Sequence, residues 1–268
     1  MSIVAMLVAA VAALSLDAVD AGAAGQLSPD LRMAKPRHVA LCGEPTASQA
    51  CPAIVPGGTR LLRFSATIAN TGSGPLQIHA SRTCSGCGSM TTEQSILRSD
   101  GTILTIPSPA VVLFETEDGH HHWHVQGMEG YALWPLGESA GVPVVSAKYG
   151  FCFFDGRHVK PGRNASPTEP VHVVADCGNP ESTGLDVGLS VGWGDTYPWY
   201  LYGQFIDVTA VGDGRYLLCL TVDGDGAYVE RDEDNNQAWA KIRIRDGEVT
   251  VLARGRTSCA EQLAPVGS

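Results

Sequence analysis

His120-His121-His122-Trp123-His124 places four of the chain's eight histidines within five residues. In an extended strand, side chains alternate between faces, so His120, His122 and His124 would line one face, with His121 and Trp123 on the other. Same-face side chains lie about 6.5–7 Å apart. Imidazoles leaning inward from such a row can share one ion at about 2 Å each. Three neutral imidazoles with no thiolate nearby suit copper(II), zinc or nickel, and the spacing alone does not choose among them. A single histidine would read as a solvated polar residue; three at alternate positions, interleaved with a tryptophan, point to a metal site. Cys84-Ser85-Gly86-Cys87 is a CxxC with no second CxxC to complete a zinc site, so a structural disulfide is the expectation there.

The elements that must position these residues are strands. Among 268 residues there are 31 glycines and 16 prolines, more than one residue in six, which argues against long helices and for short strands joined by turns. Hydrophobic residues at 44 % are enough for a core. Period-two patterns predict strands over 61–68, 102–106, 111–115, 120–126, 130–134, 148–153, 202–209, 215–222, 239–244 and 249–252. Asn70–Pro75 reads as a turn that returns the first of these into Leu76-Gln77-Ile78. No segment sustains a helical period and no internal repeat is present. The expected fold is all-β: a single β-sandwich domain, disulfide-linked, with a long functional loop over 157–188. Locality pairs the eight cysteines as Cys42–Cys51, Cys84–Cys87, Cys152–Cys177 and Cys219–Cys259.

Residues 3–16 form an unbroken apolar and small-residue run, too short to span a bilayer, which needs about 20 residues. Small residues follow at Ala21-Gly22-Ala23-Ala24-Gly25, as a signal peptidase requires, although no Lys or Arg precedes the run. The expectation is a signal peptide over 1–24, a single domain over 25–268, a secreted or extracytoplasmic location, and no membrane span after cleavage. The formal charge of −10 excludes a simple basic nucleic-acid binder and favours cationic partners.

Five further segments, taken in order with the histidine strand, resemble the lysyl oxidase family, especially its bacterial secreted members. They are Pro29-Asp30-Leu31, Leu61-Leu62-Arg63-Phe64, Lys148-Tyr149-Gly150-Phe151-Cys152, the run from Gly188 through Gly194-Asp195-Thr196-Tyr197 to Thr209, and Glu230-Arg231-Asp232-Glu233-Asp234-Asn235-Asn236. The resemblance implies copper on His120, His122 and His124. It also implies an organic cofactor, lysyl tyrosylquinone, built from the chain's own Lys148 and Tyr197. Lys148 alone would read as a surface lysine and Tyr197 alone as a packing residue; their joint presence in the two motifs is what implies activity.

The implied reaction converts a cationic primary amine, including a lysine side chain of a protein substrate, to an aldehyde. Molecular oxygen is the acceptor, and hydrogen peroxide and ammonia are released. The general base is not identified: Asp195 lies two residues before Tyr197 and could either share its face or bond backbone in a Gly-Asp turn. Animal members carry a histidine just before the tyrosine that follows the copper strand; here Gly130 precedes Tyr131, one residue closer, so that histidine's role does not carry over. The resemblance further implies calcium held by Asp30, Leu31, Glu230, Asp232, Asn235 and Asn236, whose oxygens suit a hard cation. An acidic hairpin solvated by water is the plainer reading of those residues. Two other functional readings stand beside the oxidase. One is a non-catalytic exported copper-binding sandwich, which has no need of both Lys148 and Tyr197. The other is a zinc hydrolase, which lacks an HExxH-type pairing.

Overall fold

Alternation of apolar and polar residues folds the chain almost entirely as strands. The computed structural model describes residues 25–46, 49–116, 121–137, 141–146, 150–160, 162, 165–201 and 203–264. The expected signal segment, His120 and Lys148 lie outside the described residues. In chain order the strands are β1 (Gln26–Leu27), β2 (Leu31–Met33), β3 (Arg37–Cys42), β4 (Leu61–Asn70), β5 (Leu76–Ser81), β6 (Ser89–Arg98), β7 (Ile103–Phe114), β8 (Trp123–Gln126) and β9 (Glu129–Pro135). They continue as β10 (Val144–Val145), β11 (Gly150–Phe151), β12 (Arg157–His158), β13 (Gly184–Leu189), β14 (Trp193–Tyr197), β15 (Phe205–Asp207), β16 (Gly214–Val222), β17 (Gln237–Arg245) and β18 (Glu248–Gly255). A single helical turn, α1 (Cys259–Leu263), follows.

Three sheets result, all antiparallel. One runs β11-β8-β7-β6-β5-β13 with β1 added on β6; a second runs β12-β14-β4-β15 with β2 and β3 also on β4; a third runs β10-β9-β16-β17-β18. The fold is the all-β, disulfide-linked sandwich that the composition implies. Cys42–Cys51, Cys84–Cys87, Cys152–Cys177 and Cys219–Cys259 are all bonded, so none of the eight cysteines is free. No helix among the described residues is long and apolar enough to cross a membrane.

β4 is buried along all ten residues, and its two faces differ. Leu62, Phe64, Ala66 and Ile68 belong to the central core, while Ser65, Thr67 and Ala69 point the other way. Burying those four inward side chains removes several hundred Å² of apolar surface from water, at about 25 cal/mol per Å². Asn70 ends the strand with every hydrogen-bonding group of its side chain used. Its Oδ1 accepts from the Asp30 and Gly72 N–H groups (3.1 and 2.9 Å), and its Nδ2 donates to the Gly74 and Leu189 carbonyls (3.0 and 2.9 Å).

Several expectations change in tertiary context. Residues 61–68 and 76–78 do not form a hairpin: β4 joins the second sheet and β5 the first. Asn70 and the N-terminal segment turn the chain between layers, and a Cβ at Gly74 would lie 1.8 Å from the Leu27 carbonyl oxygen, so only glycine fits. The predicted strands at 102–106 and 111–115 are one strand, β7, running through Pro107 and Pro109. β7 meets β8 only at Val112–Phe114, so both prolines lie where no second neighbour needs their N–H, next to a bulge opposite Thr91 and Thr92. Among the described residues of segments 148–153 and 202–209, only β11 and β15 are strand. Alternating burial in β6 marks a strand that its polar sequence, SMTTEQSILR, conceals.

The long connection from 157 to 183 is tied down by a buried carboxylate. Asp155 accepts from the Val171, His172 and Ser190 N–H groups (2.8, 3.2 and 2.8 Å) and from the Ser190 hydroxyl (2.7 Å). The Cys152–Cys177 bridge anchors the same segment. Removing the carboxylate leaves four donors without an acceptor, of which the His172 N–H, the Ser190 N–H and the Ser190 hydroxyl are buried. Asp155→Ala should therefore lower unfolding stability by about 3 kcal/mol in urea titrations with disulfides intact; a change below about 0.5 kcal/mol would show that the knot is not what holds the loop.

Candidate active site

His121, just ahead of the strand, carries backbone strain. His121 has φ 53°, in the left-handed region that β-carbon-bearing residues rarely occupy. Of the expected strand 120–126, the described residues give β8 from Trp123, with His121 and His122 outside it, and the His122 carbonyl accepts from the Glu115 N–H (2.9 Å) to extend the pairing with β7. His122 and His124 still lie side by side, ring centroids 4.8 Å apart. Trp123, on the opposite side, is locked by its indole N–H to the Asn179 carbonyl (2.7 Å), by Phe114 edge-on at 5.3 Å, and by the Arg82 guanidinium 4.5 Å above its ring.

Tyr197 reaches this pair from the other layer. β14 pairs with β4 so that Tyr197 lies opposite Ala66, on the core-facing side. Its hydroxyl is 3.4 Å from His124 Nε2, and both residues are buried, at 4 % and 1 % exposure. Phe151 of β11 packs against the tyrosine ring with centroids 4.3 Å apart. Gly150, next to it, lets β11 press onto β8: a Cβ there would lie 2.8 Å from the His124 Cβ. The motif segment around Gly150 thus meets both the histidine strand and the tyrosine. The described residues flanking Lys148 are fixed as well: the Ser146 N–H donates to the Tyr131 carbonyl (3.0 Å) and its hydroxyl to the Phe205 carbonyl (2.9 Å).

Around this pair lies a buried polar network that spacing alone does not reveal. Tyr131 donates its hydroxyl to the Glu129 carboxylate and accepts from Gln204 Nε2 (3.1 Å). Burial first, and then the Glu129 charge, push the Tyr131 phenol well above its ordinary value, so it stays a proton donor. The only sequence signal for this network is the presence of Gln204 in the run that follows Tyr197. Asp195 combines the two alternatives the sequence leaves open. It lies on the core-facing side of β14 with Tyr197, and its Oδ1 also accepts from the Thr196 N–H (2.6 Å). Burial raises its carboxyl well above the usual range, against the Thr196 and Phe154 backbone donors that lower it.

The residues present fit copper in kind: two close imidazoles, His124 buried and His122 half-buried, and a buried phenol, donors that suit copper(II). The third expected ligand, His120, lies outside the described residues. Among the described residues, the group of three ligand types close enough to share an ion is instead Asp223, Glu230 and Glu233. Asp223 and Glu233 were not among the residues expected from sequence.

The residues expected to bind calcium converge from both ends of the chain. The Glu230 carboxylate accepts from the Leu31 N–H and from Asn236 Nδ2 (3.0 Å). Asp30 Oδ1 accepts from Asn235 Nδ2 (2.8 Å), and its Oδ2 accepts from Thr71 (2.6 Å) and from the guanidiniums of Arg32 and Arg231. Asp232 is turned away, accepting from the Asp234 N–H (3.2 Å) at the start of a short 3-10 turn. Burial works to raise the Asp30 carboxyl, but Asn235, Thr71 and the two arginines outweigh it and hold it below its ordinary value. Burial pushes Glu230 up to about 8. The side-chain oxygens of Asn235 and Asn236 are buried and accept no hydrogen bond, which fits a hard cation, whereas the arginines on Asp30 compete with one.

Comparison with curated proteins gives no match. The family model described as lysyl oxidase matches residues 92–253, more than half of the chain. The match spans the histidine segment, Gly150–Phe151, Tyr197 and the acidic 230–236 segment, while Asp30–Leu31 and β4 precede it. With it comes a general amine-oxidase-like, oxidoreductase class of function. A match over more than half of the chain shows that the chain belongs to the lysyl oxidase family.

Proposed function

We propose that the protein is an exported, copper-dependent amine oxidase that deaminates lysine side chains or other primary amines. The observation that carries this reading is the approach of the Tyr197 hydroxyl to His124 Nε2 at 3.4 Å. It unites two motifs 73 positions apart, in a place where packing alone would favour apolar side chains. His122 and His124, with His120, would hold copper; Tyr197 and Lys148 would supply lysyl tyrosylquinone. When formed, that cofactor accepts the two electrons of amine oxidation and passes them to oxygen, with aldehyde, ammonia and hydrogen peroxide as products.

The chain's own residues set the conditions for that chemistry. Phe151 and the apolar inner face of β4 exclude water around the phenol, which strengthens every electrostatic interaction there. Trp123 and its partners fix the direction of the histidine strand. Tyr131, held protonated, donates to the buried Glu129 carboxylate. The described residues on either side of Lys148 are fixed against Tyr131, Phe205 and β8, which supports a lysine within reach of Tyr197. Four disulfides and the apolar run over 3–16 support export to an oxidising compartment. Calcium would tie the Asp30–Leu31 segment to the 230–236 loop, displacing the arginines from Asp30.

Protein matured with copper in air should yield, on peptide mass analysis, a cross-linked pair containing Lys148 and Tyr197 that stains for quinone. Two separate ordinary peptides at full copper loading would instead favour the non-catalytic copper binder. Lys148→Ala should retain copper yet release peroxide from amines only at background, and undiminished release would remove the lysine from the mechanism. The third expectation concerns Glu230. In metal-free protein its folded-state value of about 8 lies above its ordinary 4.5, so stability should fall as pH rises through that window. Calcium should restore the melting midpoint increasingly toward pH 8, and Glu230→Gln should flatten both dependences. A calcium-independent midpoint at pH 8 would remove the ion from this joint.

A further inference from the structure

The outer face of β4 carries a feature opposite in sign to the protein as a whole. Arg32 of β2 lies across from Ala69 of β4, Ala69 across from Gly194 of β14, and Gly194 across from Arg157 of β12. Residues in register share a face, so two arginines flank a floor of two small residues, with their backbones about 14 Å apart. Arg37, opposite Ser65 of β4, points the same way. The end of β18 and the residue after it bring Arg254 and Arg256 to the same rim, where Arg254 Nε donates to the Pro36 carbonyl (2.8 Å). With Lys35 they line a groove of about 680 Å³. Among the described residues that line it there is no aspartate, glutamate, phenylalanine, tyrosine or tryptophan. Arg32 is held by Asp30 at 3.2 Å; Lys35, Arg37, Arg157, Arg254 and Arg256 are exposed.

We propose that this groove binds an anionic polysaccharide, a linear chain carrying sulfate, phosphate or carboxylate groups on sugars. The cations are spread over two sheets, too far apart for one small anion to touch them all, which suits a chain of repeated charges. Nucleic acid is disfavoured because, among the described residues, no phenylalanine, tyrosine or tryptophan lines the groove to stack on bases, and a membrane surface because the cations lie in a concavity. The net charge of −10 does not abolish the attraction, since remote charges are screened beyond about 8 Å at physiological salt. The groove repels a cationic amine and lies on the opposite face of β14 from Tyr197, so it is not an entrance for the amine. The polymer would tether the protein at an anionic matrix.

The test is binding of the full chain to fluorescent dextran sulfate, phosphorylated dextran and polygalacturonate at increasing salt, with oligo-dT and phosphatidylglycerol vesicles as competitors. The expected result is salt-sensitive binding to at least one polysaccharide, weakened about tenfold by Arg157→Glu and by Arg254→Glu. Arg245→Glu, an exposed charge outside the groove, should change it by less than about twofold. The ranking of the three polymers identifies the anionic group. Melting midpoints check folding, and Arg157→Gln with Arg256→Gln repeats the measurement with a milder change. Absence of polysaccharide binding at low salt, equal binding by the groove variants, or tighter binding to oligo-dT or vesicles would overturn the proposal.

Discussion

The burial of β4 on both faces is the constraint on which the rest of the structure depends. A ten-residue strand with no exposed position must have every backbone group paired, and it accepts β2, β3, β14 and β15 as neighbours along its length. Its inner face is apolar and sets the depth at which Tyr197 sits. Its outer face is small and polar, with Thr67 bonded to Thr196 at 2.8 Å, and it forms the floor of the basic groove. A shift of one residue in the pairing with β14 would carry Tyr197 out of the core and Gly194 into it.

Several of the charged and amide groups taken out of water organise connections between elements distant in sequence. Asn70 closes the corner between two sheets, and Asp155 gathers the 171–172 and 190 segments. Arg63, fully buried, donates to the carbonyls of Ala50 and Leu201. Asp30 and Glu230 join the first strands to the 230–236 loop. Each group is costly if left unpaired, so each fixes geometry more than it adds net stability. That rigidity suits a site in which two imidazoles and a phenol from opposite layers must keep a separation of a few ångströms.

The two faces of the β4–β14 pair divide the electrostatics of the molecule. The interior side holds the proton-retaining groups Tyr131 and Asp195, whose titration is dominated by burial, beside the buried Tyr197. The outer side holds exposed guanidiniums that water can solvate. An acidic chain can therefore present one cationic surface without exposing the interior site to that charge, because the sheet between them is a low-dielectric wall.

The sequence determined the all-β class, the four local disulfides and the residue types of the site, because period-two burial, short Cys separations and motif spacing are local properties of the chain. Lys148 and His120 remain sequence expectations. The tertiary structure alone decided that residues 61–68 and 76–78 part into different sheets, that Tyr197 faces His124, and that Arg32 and Arg157 share a groove. It alone placed Asp223 and Glu233 beside Glu230 and set Arg231 on Asp30. These pairings come from sheet order and register, which depend on long-range burial and on backbone groups finding partners across tens to hundreds of residues, and no spacing within one segment encodes them.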